Sequence, residues 1–240
     1  MSKGTGESVT GVHEMKMARK QLWRAWVVVA VVTLAAAAGR ADLIVNGGFE
    51  DGSGSSADNW NQFGNAFRDT RSAQTGSYGI SMFGNFSPGP NYSGAYQDTN
   101  AVAGELFQAS VYVSTTNSDQ IGPGDTAFLK LEFYDANTNF LTSFAADNPL
   151  TNTSLVDTWM LQSVSATAPV DSAFVRTTLI FEQDTGAGGS AFFDNATLEA
   201  VPEPSTMLLF AVGGVVLYRG HRRLTKRGKN PRQTGEPTRT

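Results

Sequence analysis

Between Asp42 and Ala200 the apolar side chains recur at every second position. In Phe107–Ser114, Phe107, Ala109, Val111 and Val113 share one face, and Gln108, Ser110, Tyr112 and Ser114 share the other. In Ala127–Tyr134, Ala127, Leu129, Leu131 and Phe133 oppose Phe128, Lys130, Glu132 and Tyr134. In Phe174–Phe181, Val175, Thr177, Leu179 and Phe181 oppose Phe174, Arg176, Thr178 and Ile180. A period of two is the signature of a half-buried strand, and no helical period competes with it. Further strand candidates are Ala41–Val45, Trp60–Phe67, Tyr78–Phe83, Gly94–Thr99, Trp159–Ala166 and Ala191–Glu199. Gly, Asn, Asp, Ser and Pro fill the gaps, as in "IGPGD" and "DTGAGG", and these are turn formers. About nine such strands predict an all-β fold of two packed sheets.

Composition narrows what such a domain can do. Residues 42–200 have the length of one domain and can bury a core unaided. The chain has no cysteine, so no disulfide or thiolate contributes. Its two histidines, His13 and His221, both lie outside residues 42–200. That span therefore holds neither a Ser-His-Asp site nor a His-ligated zinc. The net charge of −4 hides an uneven distribution: residues 42–200 carry four basic and eighteen acidic side chains, a net −14. Such a body repels nucleic acid and attracts cations. With so many carboxylates some pair always has glycosidase spacing, so the acids are no sign of catalysis, and no enzymatic activity is expected.

The two ends are built differently. Lys16, Arg19, Lys20 and Arg24 precede an apolar run from Ala25 to Ala38, and small Gly39 and Ala41 stand before Asp42. This is the layout of a secretory signal peptide over residues 1–41. An uncleaved signal anchor is the alternative, and Met15 or Met17 is a candidate start. Near the other end, Ser205 to Tyr218 is a second apolar run of 14 residues. As a helix it covers roughly 21 Å, short of the roughly 30 Å hydrocarbon core. Snorkelling Arg219, Arg222 and Arg223 would let it span under strain. Pro202 and Pro204 keep it from growing backwards. The basic residues behind it favour a cytoplasmic tail. These properties predict an exported domain held weakly or transiently at the inner membrane.

Val201, Pro202, Glu203, Pro204 and Ser205, then a short apolar helix, then an Arg-rich tail, together resemble the PEP-CTERM sorting signal over residues 201–230. The resemblance implies a Gram-negative host that makes exopolysaccharide. It also implies recognition of the motif by an exosortase, a membrane transpeptidase-like protease. The protein would pass through an inner-membrane intermediate to the cell surface or the extracellular, biofilm-type matrix. The polar tail at residues 231–240 is longer than usual for that family.

The middle domain carries a second resemblance. "LIVNGGFED", Trp60, the late "WMLQSVSATAPVDSAFVRTTLIF" and "GGSAFFDNATLEA" are similar to carbohydrate-binding-module jelly rolls. That family implies a jelly roll with core tryptophans at Trp60 and Trp159. It implies a structural calcium tying the first strand to the last through the carboxylates of Glu50 and Asp194, with backbone carbonyls supplying the rest; calcium takes six to eight hard oxygens. The bland alternative is that Glu50 caps a turn and Asp194 bonds a backbone amide. Sugar binding needs flat aromatics with polar groups beside them. Gln108, Tyr112, Tyr134 and Arg176 would supply these if their strands line one concave sheet; otherwise they decorate a solvated face. Two functions stay open: a non-catalytic surface or matrix unit, and a polysaccharide-binding module.

Overall fold

A strand that is apolar on one face only must bury that face against another such strand layer. The computed structural model describes residues 41–201, apart from residues 72, 88 and 185. The described residues form β1 (Gly52–Ser53), β2 (Ser56–Ala57), β3 (Asn61–Phe63), β4 (Asn65–Asp69), β5 (Gly79–Phe83) and β6 (Asn91–Asn100). They continue with β7 (Leu106–Ser114), β8 (Thr126–Tyr134), β9 (Phe140–Ala145), β10 (Met160–Thr167), β11 (Phe174–Gln183) and β12 (Ser190–Val201). The first sheet has the order β10-β7-β12-β5-β4 and the second β3-β6-β11-β8-β9; β1 and β2 form a separate small ribbon. All pairings are antiparallel. From β5 onward the chain crosses between sheets at nearly every step, leaving β12 beside β5 and β11 beside β6. That is the strand order of a jelly roll.

The predicted inner faces are the buried ones. Along β8 burial alternates strictly, with Ala127, Leu129, Leu131 and Phe133 at 0 % exposure. Phe107 of the first sheet meets Phe133 of the second with ring centroids 6.2 Å apart. Phe49, Phe181 and Phe193 are also fully buried. Each such side chain contributes about 1.5–3 kcal/mol by leaving water.

The structure departs from the predicted strands in four places, one of them the small ribbon of β1 and β2, which was not predicted. Trp60–Phe67 is not one strand: it breaks at Gly64, whose φ is +62°. A Cβ there would stand 2.6 Å from the Tyr92 carbonyl oxygen. Only glycine suits both conditions, and the break sends β3 to the second sheet and β4 to the first. Ala41–Val45 is not a strand but a single bridge, Asp42 to Glu199, with the Leu43 N–H donating to the Leu198 carbonyl at 2.7 Å. Phe140–Ala145, absent from the predicted strands, is the edge strand β9; it is largely exposed and so lacks the alternation that betrays a strand. The predicted signal peptide and the C-terminal apolar helix lie outside the described residues. Among the described residues no helix is long and apolar enough to cross a membrane.

One buried side chain stitches the two sheets together. Gln162 on β10 has 0 % exposure. Its Oε1 accepts the Leu129 N–H at 2.8 Å, and its Nε2 donates to the carbonyls of Ala127 and Asn148 at 3.1 and 3.0 Å. It completes the backbone pairing of β8 near the end of β9. Gln162→Leu keeps most of the volume but strands the Leu129 N–H. An unsatisfied buried group costs about 1–3 kcal/mol. Urea unfolding should show a loss of that size, and an unchanged midpoint would refute the stitch.

Candidate functional site

Two places gather functional side chains. The first lies where the chain enters and leaves the sandwich. Glu50 follows the turn that starts at Asn46, and Asp194 sits within β12. Both reach the same loop, residues 73–78. Glu50 Oε1 accepts the N–H groups of Ser77 and Tyr78 at 2.8 and 3.0 Å. Asp194 Oδ2 accepts those of Gln74 and Thr75 at 2.7 and 3.0 Å, and its Oδ1 accepts that of Asn195 at 2.7 Å. Gly76 makes the approach possible: its φ is +69°, and any Cβ there would collide with Glu50 Oε1. Beneath, buried Arg68 donates to the Phe49 and Glu50 carbonyls at 2.7 and 2.5 Å and lies 3.3 Å over the Tyr78 ring.

The two carboxylates respond in opposite directions. The Tyr78 and Ser77 amides hold the Glu50 carboxyl below its ordinary 4.5. Burial pushes Asp194 above its ordinary 3.8, its three amide bonds offsetting only part of this. Asp194 is 0 % exposed.

Calcium was expected at these two residues, and their bonding can be tested against it. Glu50 Oε1 and Asp194 Oδ2 already accept two N–H groups each. That leaves Glu50 Oε2 and one lone pair of Asp194 Oδ1 as open carboxylate acceptors, so most of the six to eight oxygens calcium takes would come from backbone carbonyls and water. Among the described residues no three Asp, Glu or His side chains gather into a metal cluster. As arranged, the two carboxylates form a hydrogen-bonded clamp on residues 73–78. The turn-capping and amide-bonding alternative is what the geometry displays.

The second place is the outward face of the second sheet. Register puts Phe174 beside Tyr134, Arg176 between Asp98 and Glu132, and Thr178 between Tyr96 and Lys130. Tyr134 stacks on Phe174 with centroids 5.0 Å apart and planes 7° apart, and meets Phe140 edge-on at 5.8 Å. The Arg176 guanidinium lies 3.8 Å over the Tyr96 ring and grips Asp98 with two bonds of 2.7 and 2.9 Å. Lys130 pairs with Glu132 at 2.8 Å, and the Thr178 hydroxyl donates to Glu132 at 2.8 Å. Desolvation, then the Glu132 charge, pushes the Tyr134 hydroxyl above its ordinary 10.0.

Of the four expected sugar-binding residues, the structure brings only two together. Tyr134 and Arg176 share this face. Gln108 and Tyr112 lie on β7 in the other sheet, where Tyr112 sits between Leu161 and Asp194. Alternation within a strand tells which side chains point outward but not which sheet the strand joins. Tyr96, Phe140, Asp98, Lys130 and Glu132 were missed as partners; Tyr96 lay in a predicted strand whose register was unknown. Trp60 is 7 % exposed, packs on Phe49 at 5.0 Å and donates its indole N–H to the Asn46 carbonyl at 3.0 Å. Trp159 is half-buried.

Residues 200–223 match the family model described as the PEP-CTERM protein-sorting motif. The chain therefore carries the sorting signal of an exported protein processed by an exosortase at the membrane. No curated protein matches this chain. Among solved structures it is similar to the enzymatically active domain of bacteriophage CBA120 tailspike protein 4, with 14 % identity and a TM-score of 0.46, over 67 % of this chain and 21 % of that one. It thus spans about a fifth of the tailspike's length. It is also similar to TmCBM61 in complex with β-1,4-galactotriose, with 16 % identity and a TM-score of 0.45, over 67 % of this chain and 99 % of that one. A third is the CBM22-1 xylan-binding domain of Paenibacillus barcinonensis Xyn10C, with 14 % identity and a TM-score of 0.48, over 69 % and 97 % of the two chains. The jelly-roll assignment rests on the strand order, and these distant likenesses assign no ligand.

The clamp makes a prediction. Asp194→Ala frees three buried or half-buried N–H groups and should cost about 3 kcal/mol or more, since bonds to charged groups are worth about 1.5–3 kcal/mol each. The loss should be the same in EDTA as in calcium. Acid should act through Glu50: its lowered carboxyl stabilises the fold above the ordinary 4.5 and loses that contribution as pH falls below it. Glu50→Gln should therefore flatten the decline of melting temperature below that pH, and a parallel decline in both proteins would contradict the clamp.

Proposed function

We propose that this is an exported surface or matrix protein whose jelly roll binds polysaccharide, without catalysis, on the outward face of its second sheet. The observation that carries the reading is the arrangement around Arg176. Two flat ring systems, Tyr134 on Phe174 and Tyr96 under the guanidinium, stand beside paired polar groups. Sugars present apolar CH faces and hydroxyl edges in alternation. Aromatic rings take the former, and fixed carboxylates and cations take the latter. Phe140, Phe63 and Tyr92 extend the aromatic character to the margins, at 56, 36 and 52 % exposure. A surface role without any ligand is the second reading; the sorting motif supports export in both.

The test is electrophoretic retardation in gels that contain xylan, galactan, mixed-linkage glucan or a uronate-rich polysaccharide. Tyr134→Ala should weaken retention by about 1–3 kcal/mol, the usual cost of losing an aromatic anchor, which is roughly five- to 150-fold in Kd. Tyr112→Ala, on the other sheet, should bind as the parent does. Equal loss in both variants would place binding elsewhere, and no retention in any gel would leave the purely structural reading.

Sorting has its own check. Pro202, Glu203 and Pro204 stand ahead of an apolar run too short for a comfortable span. Intact-mass measurement on surface-extracted protein should find an end near Ser205. A mass that runs through Thr240 would contradict exosortase processing.

A further inference from the structure

The chain leaves the sandwich without a linker. β12 runs to Val201, and Ala200 and Val201 still pair with Phe107 and Leu106 of β7. The match to the sorting motif begins at residue 200, so its first two residues are ladder residues of the fold. Pro202, Glu203 and Pro204 follow directly in the sequence, and proline has no N–H with which to extend a ladder. Three residues span at most roughly 11 Å. Protein clefts enclose the ligands they recognise. An enzyme that holds residues 202–204 in such a cleft therefore abuts the end of the sandwich at which β12 stops.

That end is built from two loops. Thr167 of β10, Leu106 of β7 and Val201 of β12 stand side by side there. The connection from β6 to β7, residues 101–105, is bonded to that from β10 to β11, residues 168–173. The Ala168 N–H donates to the Glu105 carbonyl at 2.8 Å, that of Gly104 to the Ala168 carbonyl at 2.9 Å, and that of Ala101 to the Ala173 carbonyl at 3.0 Å. Each loop lifts one valine into solvent: Val102 is 71 % exposed and Val170 77 %. The turns close through other groups, the Glu105 N–H donating to the Val102 carbonyl at 3.0 Å and the Ser172 N–H to the Pro169 carbonyl at 3.3 Å. Single exposed apolar side chains are ordinary. Val102, Val170 and Leu155, however, are the three most exposed large ones among the described residues, and two of them share this end. Leu155 lies toward the other end, in the connection that leads into β10 at Met160, which pairs with Val113 of β7.

We infer that the exosortase docks on this end of the sandwich, with Val102 and Val170 as its contacts; the inference rests on the sorting signal being processed as proposed above. A bilayer surface fits this end less well. Residues 101–105 and 168–173 contain no lysine, arginine, tryptophan or tyrosine and carry Glu105 and Asp171. Segments that bind membrane surfaces use basic and aromatic side chains. Two apolar side chains with acidic neighbours in sequence suit instead the small, mixed contact of a transient protein interface. The surface is separate from the proposed carbohydrate face and does not depend on it.

The test follows conversion of the full-length chain to the form that ends near Ser205, in the exporting host, by pulse–chase and intact mass. Val102→Ser combined with Val170→Ser should slow conversion by about tenfold, the cost of leaving two valine side chains unburied at the encounter. Both positions are exposed, so the melting temperature should not move. Leu155→Ser, at a comparably exposed position toward the other end, should convert as the parent does. Flotation of the surface-extracted protein with phosphatidylethanolamine–phosphatidylglycerol vesicles separates enzyme contact from lipid contact. Equal conversion in all three proteins, equal slowing by Leu155→Ser, or vesicle binding that the two valine substitutions abolish would overturn the docking surface. A parent protein that keeps its end at Thr240 would overturn the sorting reading itself, and the docking surface with it.

Discussion

The period-two backbone imposes the division of labour on which everything else in this domain depends. A jelly roll with no disulfide and, among its described residues, no helix is held by what its strands place between the sheets. That requirement claims one face of every long strand. On β8 and β11 it fixes Ala127, Leu129, Leu131, Phe133, Val175, Leu179 and Phe181, all at 0 % exposure. Thr177 is the exception, a buried hydroxyl whose oxygen finds no partner. The opposite face of β8 is released from packing, and that of β11 in part, with Thr178 and Ile180 still buried. Lys130, Glu132, Tyr134 and Arg176 stand on those same two strands, so the face proposed to bind polysaccharide is rigid because the surface beneath it is core.

Where the ladders end, side-chain amides take over the backbone's role. Gln162 does so between the sheets. Gln97 accepts the Val45 N–H at 2.8 Å and donates to the Val45 and Asn59 carbonyls at 3.0 and 3.1 Å. Gln62 accepts the Ala57 N–H and donates to the Ser55 and Ala66 carbonyls. Gln183 accepts the Phe86 N–H and donates to the Ala187 carbonyl. A glutamine amide carries both donor and acceptor, so it replaces a missing peptide unit outright. A carboxylate accepts only. Glu50 and Asp194 accordingly serve where a loop presents a run of N–H groups and nothing else.

Much of this was legible in the sequence, and the rest was hidden for identifiable reasons. The alternation of β7, β8 and β11 named the core correctly because each strand is half-buried along its whole length. The same alternation ran through Gly64 without a break, so two strands in different sheets read as one. Strand β9 lies on an edge with both faces wet, and a strand with no buried face has no pattern to read. Glu50 and Asp194 stood out through their motifs, but their partners lie in a loop at residues 73–78 that only the fold brings to them. The pairing of Tyr134 with Phe174, and of Arg176 with Tyr96, depends on register, which local sequence does not encode.

Charge placement gives the outward face of the second sheet its character. Residues 42–200 carry a net −14, with only four basic side chains to set against it. Arg68 is buried against Tyr78, and Arg71 pairs with Asp69 beside the first sheet. The other two, Lys130 and Arg176, both stand on the outward face of the second sheet, Lys130 paired with Glu132 and Arg176 with Asp98. Exposed ion pairs contribute little to stability, so this placement is not explained by the fold's needs. Its effect is local neutrality around Tyr134 and Arg176 within an acidic body, with Glu182, unpaired by any cation among the described residues, at the Tyr92 margin. An anionic polymer approaching elsewhere meets the unbalanced field of the domain, whereas a ligand at this face meets rings and compensated charges. On the proposed polysaccharide-binding reading, neutral glycan segments gain most from that combination, because they need hydrogen-bonding groups held in place and no counter-charge of their own.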